Sequence, residues 1–365
     1  MPNAETPQSA RHGAAQGGPR AGSGSAAVPD IEGLDAWLAE REARWPDVRE
    51  GTEARVVWAD GCRQTAVSLV YLHGFSATRM ETAPLADRVA AELGANLYYP
   101  RLTGHGRTPA AMGEARMSDW VDDAQHAFEV GRRLGERVVL IGTSTGATLA
   151  TLLAATVDLP ELAALVLVAP NFGPKDGRAG MLTWPGSRLW VPWIVGRERV
   201  VPPENDGHAR YWTTTYPSTA LIPMMELVRA VRRAPLERIT QPVLAVFSDA
   251  DEVVDARQTR PAIARMRRAR VELEVVAVDA EDAALNPTAH VIAGDVFAPR
   301  GTASVVARIV SFLRDHGVLA GTAAQTAAED AAEGTVGTAA ELAAEEADQQ
   351  AAADTTGVRS APAPD

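Results

Sequence analysis

The stretch that decides the fold runs from Arg137 to Ala155 and reads R-V-V-L-I-G-T-S-T-G-A-T-L-A-T-L-L-A-A. Val138 to Ile141 is a short apolar run rich in β-branched residues, which is typical of a strand buried on both faces of a parallel sheet. Gly146 then opens an alanine- and leucine-rich segment with helical spacing. The sequence therefore predicts a strand, an abrupt turn and a helix, with Ser144 held in a strained, exposed position at the apex.

The same alternation of strands and helices continues on both sides of this turn. Apolar runs predict further strands at residues 65–71, 96–99, 162–169, 242–247 and 271–278. Because parallel strands need crossover helices, we predict an α/β fold with a mainly parallel central sheet and helices on both faces. Arg55 to Trp58 and Thr65 to Tyr71 flank an A-D-G turn, so these two segments predict an antiparallel hairpin.

Composition divides the chain into a folded domain and two tails. Residues 1–28 are rich in Gly, Ala, Ser, Pro and Gln without an apolar period, which predicts a disordered arm, and residues 322–365 predict a disordered acidic, alanine-rich tail. Residues 29–321 form the predicted domain. Within it, prolines, glycines and tryptophans replace the alternation at residues 171–236. We expect this insertion to form a lid over the carboxyl ends of the strands, where such sheets bind ligands.

Length and charge limit the classes of function. The chain has 365 residues, of which 46% are hydrophobic, so it can bury a large core. Nine acidic residues and one arginine after residue 320 contribute −8 to the net charge of −12. The remaining −4 does not suit a nucleic-acid surface. The single cysteine, Cys62, cannot form an internal disulfide. With no long apolar span and no signal-peptide pattern, we expect a cytoplasmic protein without integral membrane association.

A serine at such a turn needs a general base to become a nucleophile, and the base needs an orienting acid. Of the seven histidines, His290 has the right position, because it follows the last predicted strand and precedes the last helix. The acid should follow the strand that ends at Phe247, where Asp249, Asp251, Glu252 and Asp255 are available. Asp251 is preferred because it precedes E-V-V, where the chain should turn over the sheet edge, and Asp249 is the alternative.

The same chemistry needs donors for the negative charge that develops on a carbonyl oxygen. H-G-F at residues 73–75 ends an early strand, so the backbone N–H of Phe75 can complement that of Thr145. No phosphate-binding glycine fingerprint, metal-spaced His or Cys cluster or nicotinamide motif competes with this interpretation. We therefore expect no cofactor and no metal.

Five motifs together resemble the α/β-hydrolase superfamily over about residues 50–318. They are Y-L-H-G-F-S-A (71–77), Y-Y-P-R-L-T-G-H-G (98–106), G-T-S-T-G (142–146), F-S-D-A-D-E-V-V-D (247–255) and A-H-V-I (289–292). The sequence is most similar to the bacterial carboxylesterase, monoacylglycerol-lipase and lysophospholipase group, often pooled with serine aminopeptidases. Thr145 departs from this group, in which a bulkier apolar residue commonly follows the nucleophile. The polar insert at residues 281–288 also lengthens the segment before His290.

The resemblance implies hydrolysis of a small carboxylic ester through an acyl-enzyme. It gives Ser144 the role of nucleophile, His290 that of base and Asp251 that of orienting acid, with Phe75 and Thr145 as backbone donors. Two alternatives stay open. An aminopeptidase-like amide hydrolase would need lid carboxylates to hold a substrate ammonium, and Glu204, Asp206 and Glu226 are available. A non-hydrolytic acyltransferase or ligand-binding protein could also use this fold.

Overall fold

The computed structural model describes residues 27–319. Within this range the strands are β1 Arg55–Val57, β2 Thr65–Leu72, β3 Asn96–Tyr99, β4 Gly135–Thr143, β5 Leu162–Val168, β6 Glu198–Val200, β7 Thr215–Pro217, β8 Val243–Phe247 and β9 Val271–Val275. The predicted tail at residues 322–365, and all but the last two residues of the predicted arm, lie outside the described range.

Eleven α-helices connect or flank these strands between residues 27 and 319. They are α1 Leu34–Ala43, α2 Leu85–Leu93, α3 Pro109–Glu114, α4 Met117–Leu134, α5 Thr145–Thr156, α6 Ser187–Ile194, α7 Asp206–Tyr211, α8 Leu221–Arg233, α9 Ala256–Ile263, α10 Ala280–Leu285 and α11 Gly301–Asp315. Short 3₁₀ helices occur at Ile31–Gly33, Arg79–Glu81, Gly177–Thr183, Ser218–Ala220 and Leu236–Arg238. No helix in this part of the chain combines the length and the apolarity that crossing a membrane requires.

Seven of the strands form one central sheet in the order β1-β3-β2-β4-β5-β8-β9. All neighbouring pairs are parallel except β1 with β3. The predicted α/β fold with a mainly parallel sheet is therefore confirmed. The carboxyl ends of these parallel strands lie along one edge, so loops from distant parts of the sequence meet there.

The predicted hairpin of β1 and β2 is wrong. β3 lies between them, and it pairs with β1 antiparallel and with β2 parallel. β2 also pairs in parallel with β4, from Thr65 opposite Gly135 to Leu72 opposite Gly142. β2 thus has a parallel partner on each side, and β1 adds to the outer edge of the sheet instead.

The core has two layers, one on each face of the sheet. Alternate residues of β4 face opposite sides: Val138 and Leu140 join one core cluster, and Val139 and Ile141 join the other. Helices α4, α5 and α8 cover the first face, and α2 and α11 cover the second. Burial of β4 on both faces is the reason for its unbroken apolar run, and it holds the end of this strand in a fixed position.

Candidate active site

Ser144 lies in the tight turn between β4 and α5. Its φ of 52° and ψ of −114° are strained for a residue with a side chain. Gly146 allows the turn, because a Cβ at this position would collide with the carbonyl group of Leu72 on the adjacent strand. The Ser144 N–H donates to the carbonyl oxygen of Val168 at 2.9 Å. The strained residue is therefore tied to β5 as well as to α5.

The prediction that Ser144 is exposed is wrong, since the residue is only 6% exposed. The segment that follows β5 packs over this edge of the sheet. The N–H of Asn171 donates to the Ser144 carbonyl oxygen, and Met224 of α8 contacts the Asn171 amide. Ser144 therefore lies in a covered part of the sheet edge.

Asp251 and His290 meet at the same edge, although 39 residues separate them in sequence. His290 Nδ1 lies 2.7 Å from Asp251 Oδ2. The other carboxylate oxygen accepts the N–H groups of Val253 and Val254 at 2.8 and 2.9 Å. Because two backbone donors hold the carboxylate, and its residue is 1% exposed, Asp251 can fix the orientation of the imidazole.

The electrostatics of this pair favour a basic imidazole. Burial by itself would lower the pKa of His290, but the negative charge and hydrogen bond of Asp251, with a smaller contribution from Glu81, raise it above the usual value. With Nδ1–H donating to Asp251, Nε2 is the nitrogen left to accept a proton. This tautomer is the one that a general base requires.

Asp249 is directed elsewhere. Its two carboxylate oxygens accept hydrogen bonds from Arg260 of α9 at 2.8 and 3.1 Å, on the exposed surface. These hydrogen bonds lower the pKa of Asp249. The fold thus brings Asp251, and not Asp249, to His290. Glu252 pairs with Lys175, and the Asp255 side chain caps α9.

The loop that carries His290 is built by local hydrogen bonds. The Asn286 amide donates to the Val291 carbonyl oxygen at 2.9 Å, and the Ala289 N–H donates to the Asn286 carbonyl oxygen. Ala289 has a φ of 52°, so the loop is strained just before the histidine. The N–H of Glu252 donates to the Thr288 carbonyl oxygen at 2.8 Å. This bond joins the histidine loop to the loop that carries Asp251.

Two backbone donors remain free beside the serine turn. Within residues 27–319, neither the Phe75 N–H nor the Thr145 N–H donates a hydrogen bond. Thr145 is the first residue of α5, where the helix dipole also favours negative charge. Its hydroxyl oxygen is buried and has no hydrogen-bond partner among the described residues. Neither of the two predicted donors is therefore used by another group in this part of the fold.

Two further histidines are buried near this edge: His73 of the H-G-F motif and His105 of the motif at residues 98–106. Their rings pack against each other with centroids 4.9 Å apart. Burial lowers the pKa of His73 to about 4 and that of His105 below its usual range. The Leu102 N–H donates to His73 Nε2, which leaves the Nδ1–H to donate to the Gly74 carbonyl oxygen. Both rings stay neutral and shape the loops around the site.

Sequence reasoning missed one buried acid at this edge, Glu81. It is 2% exposed, and its carboxylate accepts the N–H of Gly74 at 2.7 Å. Burial raises the pKa of Glu81 to about 7, against opposing effects of the Gly74 hydrogen bond, His290 and Tyr71. Glu81 lies eight residues after the H-G-F motif begins. Nothing in its local pattern indicates burial.

The segment between β5 and β8 lies beside the site. Tyr216 of β7 packs edge-on against Phe75 with ring centroids 5.3 Å apart, and the Thr213 N–H donates to the Ser76 carbonyl oxygen at 2.7 Å. Its apolar residues are divided: Met224, Met225 and Leu227 are buried, whereas Trp184 and Trp193 are 59% and 85% exposed. Trp184 and Trp193 therefore lie on the outer surface of this segment.

The sheet and the serine turn define an α/β-hydrolase. A family model described as serine aminopeptidase, S33, matches residues 63–278, which is more than half of the chain, and the chain belongs to this family. The matched range includes Ser144 and Asp251 and ends before His290. No curated protein matches the chain.

Several solved structures are similar to this chain. One comes from work on the metagenome-derived lipolytic enzymes LipS and LipT, with 21% identity, 74% of this chain and 100% of that chain covered, and a TM-score of 0.59. A soluble variant of monoglyceride lipase from Saccharomyces cerevisiae has 14% identity, 73% and 93% coverage and a TM-score of 0.54. The monoacylglycerol lipase of Paleococcus ferrophilus has 14% identity, 72% and 98% coverage and a TM-score of 0.50. At these identities the likeness concerns the fold.

Proposed function

We propose that this protein hydrolyses carboxylic esters through a triad of Ser144, His290 and Asp251. The observation that supports this most strongly is the buried His290–Asp251 pair, placed at the same sheet edge as a strained serine at a helix start. A serine hydroxyl is a weak nucleophile until a base removes its proton, and this pair supplies an oriented base of raised pKa.

The reaction follows the acyl-enzyme course. His290 Nε2 takes the proton of the Ser144 hydroxyl while the oxygen attacks the ester carbonyl carbon, and Asp251 stabilises the imidazolium that forms. The N–H groups of Phe75 and Thr145 receive the negative charge on the carbonyl oxygen. The alcohol leaves with the proton from His290. Water, activated by the same histidine, then releases the acid and restores Ser144.

The substrate class is a small ester with an apolar acyl or aromatic group. Met224 of α8 contacts the Asn171 amide, and the Asn171 N–H donates to the Ser144 carbonyl oxygen, so buried apolar surface lies beside the serine turn. Esters of this kind also agree with the proteins of similar fold, which are described as lipolytic enzymes and monoacylglycerol lipases. We propose that the segment 171–236 acts as the lid of this site.

Amide hydrolysis is the second candidate, and the description of the family favours it. Its substrate ammonium would need a carboxylate in the lid. Three carboxylates of the lid lie on the exposed surface, namely Glu204, Asp206 and Glu226. A substrate ammonium bound there would stay hydrated and would be held weakly. Turnover of aminoacyl amides at rates above those of esters would favour this candidate over ester hydrolysis.

The test combines a covalent probe with ester turnover. A fluorophosphonate should label the protein, and mass mapping should place the label on Ser144. Chromogenic short-chain esters should be hydrolysed by the wild-type protein, and Ser144→Ala should remove most turnover and the label. Full esterase activity in Ser144→Ala would overturn the proposal. Labelling without ester or amide turnover would instead support an acyltransferase or ligand-binding role.

A further inference from the structure

Glu81 is a buried carboxylate that the proposed reaction does not use. It ends the 3₁₀ helix Arg79–Glu81, and its side chain points under the loop of residues 73–77. A Cβ at Gly74 would collide with this carboxylate, so the glycine of H-G-F provides the space that Glu81 occupies. A carboxylate placed this far from solvent costs free energy unless polar groups compensate it.

The polar partners of Glu81 come from two elements of the site. Its Oε2 atom accepts the Gly74 N–H at 2.7 Å and lies 3.3 Å from the Tyr71 hydroxyl of β2. The Tyr71 hydroxyl accepts a hydrogen bond from Thr82 at 2.7 Å and lies 3.0 Å from the hydroxyl of Thr143, the residue before Ser144. A buried network therefore links the H-G-F loop to the end of β4.

The same segment also supports the histidine loop. The Asp295 N–H donates to the Ala83 carbonyl oxygen at 2.8 Å. Gly294, with a φ of +108°, packs so closely on Thr82 that a Cβ would not fit. Residues 81–83 thus touch the loops that carry Phe75 and His290, and they reach the serine turn through Tyr71.

We infer that Glu81 is a positioning residue: its carboxylate holds the loop that presents the Phe75 N–H, and its segment packs on the loop that carries His290, where the carboxylate, when ionised, acts on the imidazole. The Gly74 N–H is turned toward Glu81, and the Gly74 carbonyl oxygen accepts the Ala77 N–H at 3.3 Å. These two bonds fix the peptide planes on both sides of Gly74, and the second of these planes contains the Phe75 N–H. The inference rests on the proposed function, because it assigns Phe75 and His290 their roles.

The charge of the Glu81 carboxylate and its hydrogen bonds lead to separate predictions. The titratable groups that influence the pKa of Glu81 are Tyr71 and His290, and those that influence the pKa of His290 are Asp251 and Glu81. Ionised Glu81 raises the pKa of His290. Removing the charge while keeping a hydrogen-bond acceptor should therefore lower the pKa of His290 and leave the loop in place. Removing the side chain should release the loop.

The experiment uses two variants of the full chain. Glu81→Gln keeps an oxygen for the Gly74 N–H, so kcat at optimal pH should stay within about threefold, while the acidic limb of the kcat/KM profile moves to lower pH. Glu81→Ala leaves Gly74 and Tyr71 without their partner. Its kcat should fall about tenfold to a hundredfold with little change in KM, because the loss concerns a donor used in the transition state.

Asp123→Asn is the matched control. Asp123 is also a carboxylate with a pKa raised by burial, to about 6, and it accepts the Thr103 N–H at 2.6 Å. No hydrogen bond or ion pair joins Asp123 to His290 within residues 27–319. Asp123→Asn should therefore alter Tm without moving the acidic limb. If Glu81 were merely structural, Glu81→Gln would likewise change Tm without moving the acidic limb. That result would overturn the inference.

A direct titration separates this inference from the proposed function. The ring signals of His290, assigned with His290→Ala, give its pKa by NMR without any substrate. A lower pKa in Glu81→Gln than in the wild-type protein supports the charge effect even if no ester is turned over. An unchanged His290 pKa overturns it. Wild-type turnover in Glu81→Ala overturns the loop role, whereas absence of turnover and of Ser144 labelling in the wild-type protein contradicts only the proposed function.

Discussion

Replacing Asp251 by Asn tests the acid of the proposed triad with a minimal change of shape. The two N–H groups of Val253 and Val254 both point at Asp251 Oδ1, so an asparagine should place its carbonyl oxygen there. Its NH₂ group then faces His290 Nδ1, which must accept instead of donate. The proton of the neutral imidazole moves to Nε2, and the base can no longer take a proton from Ser144.

The expected magnitude follows from this wrong tautomer. Loss of a triad aspartate to Asn lowers kcat by about 10⁴-fold, and at about 1.36 kcal/mol for each factor of ten this is roughly 5.4 kcal/mol of lost transition-state stabilisation. Asp249→Asn removes an exposed ion pair with Arg260, which solvent screens, so the fold should remain intact. Its kcat should change by less than about threefold, because the side chain does not contact His290.

The assay is kcat for both variants on one chromogenic ester, with thermal melting to show that each protein is folded. A large loss for Asp251→Asn beside a small one for Asp249→Asn agrees with the geometry. The reverse order would assign the role to Asp249. Small effects for both variants would refute the reasoning, since His290 would then need no orienting carboxylate.

Three further predictions concern the same edge of the sheet. Because only neutral His290 can act as base and its pKa is raised, kcat/KM should fall about tenfold per pH unit on the acidic side. The midpoint should lie above the usual histidine value of about 6.5; a midpoint below it would contradict the raised pKa. Ser144→Ala and His290→Ala should each remove most turnover, and the double variant should lose little more, because the residues act as a unit; additive losses would argue for independent roles. Gly146→Ala should lower the free energy of unfolding by more than about 2 kcal/mol in denaturant titrations, because its Cβ meets the rigid Leu72 carbonyl group; a wild-type value would mean that the turn relaxes.

The sequence by itself determined the parts of the molecule that depend on neighbouring residues. The apolar run of β4, the glycines around Ser144 and the alanine-rich start of α5 lie within a few residues of one another, so their pattern specifies the turn. The alternation of strands and helices also predicts the parallel sheet, because crossover helices impose this arrangement. His290 could be selected for a similar reason, as its place after the last strand follows from chain order.

Only the tertiary structure decided which groups meet across the sheet. The hairpin prediction for β1 and β2 was wrong because strand pairing depends on burial on both sides of a strand, which a local turn signal does not contain. Asp249 and Asp251 are both acids in one short loop. Their separation depends on the Arg260 guanidinium of α9 and on the His290 ring.

Glu81 shows most clearly what the local sequence does not predict. In sequence it is an acid in a short polar segment, where exposure to solvent is the usual outcome. In the fold, the H-G-F loop, β2 and the histidine loop close over it and raise the pKa of its carboxylate to about 7. Burial of a charged group is a property of the elements that surround it. These elements come from positions as far apart as Tyr71 and Gly294, so no local pattern could predict it.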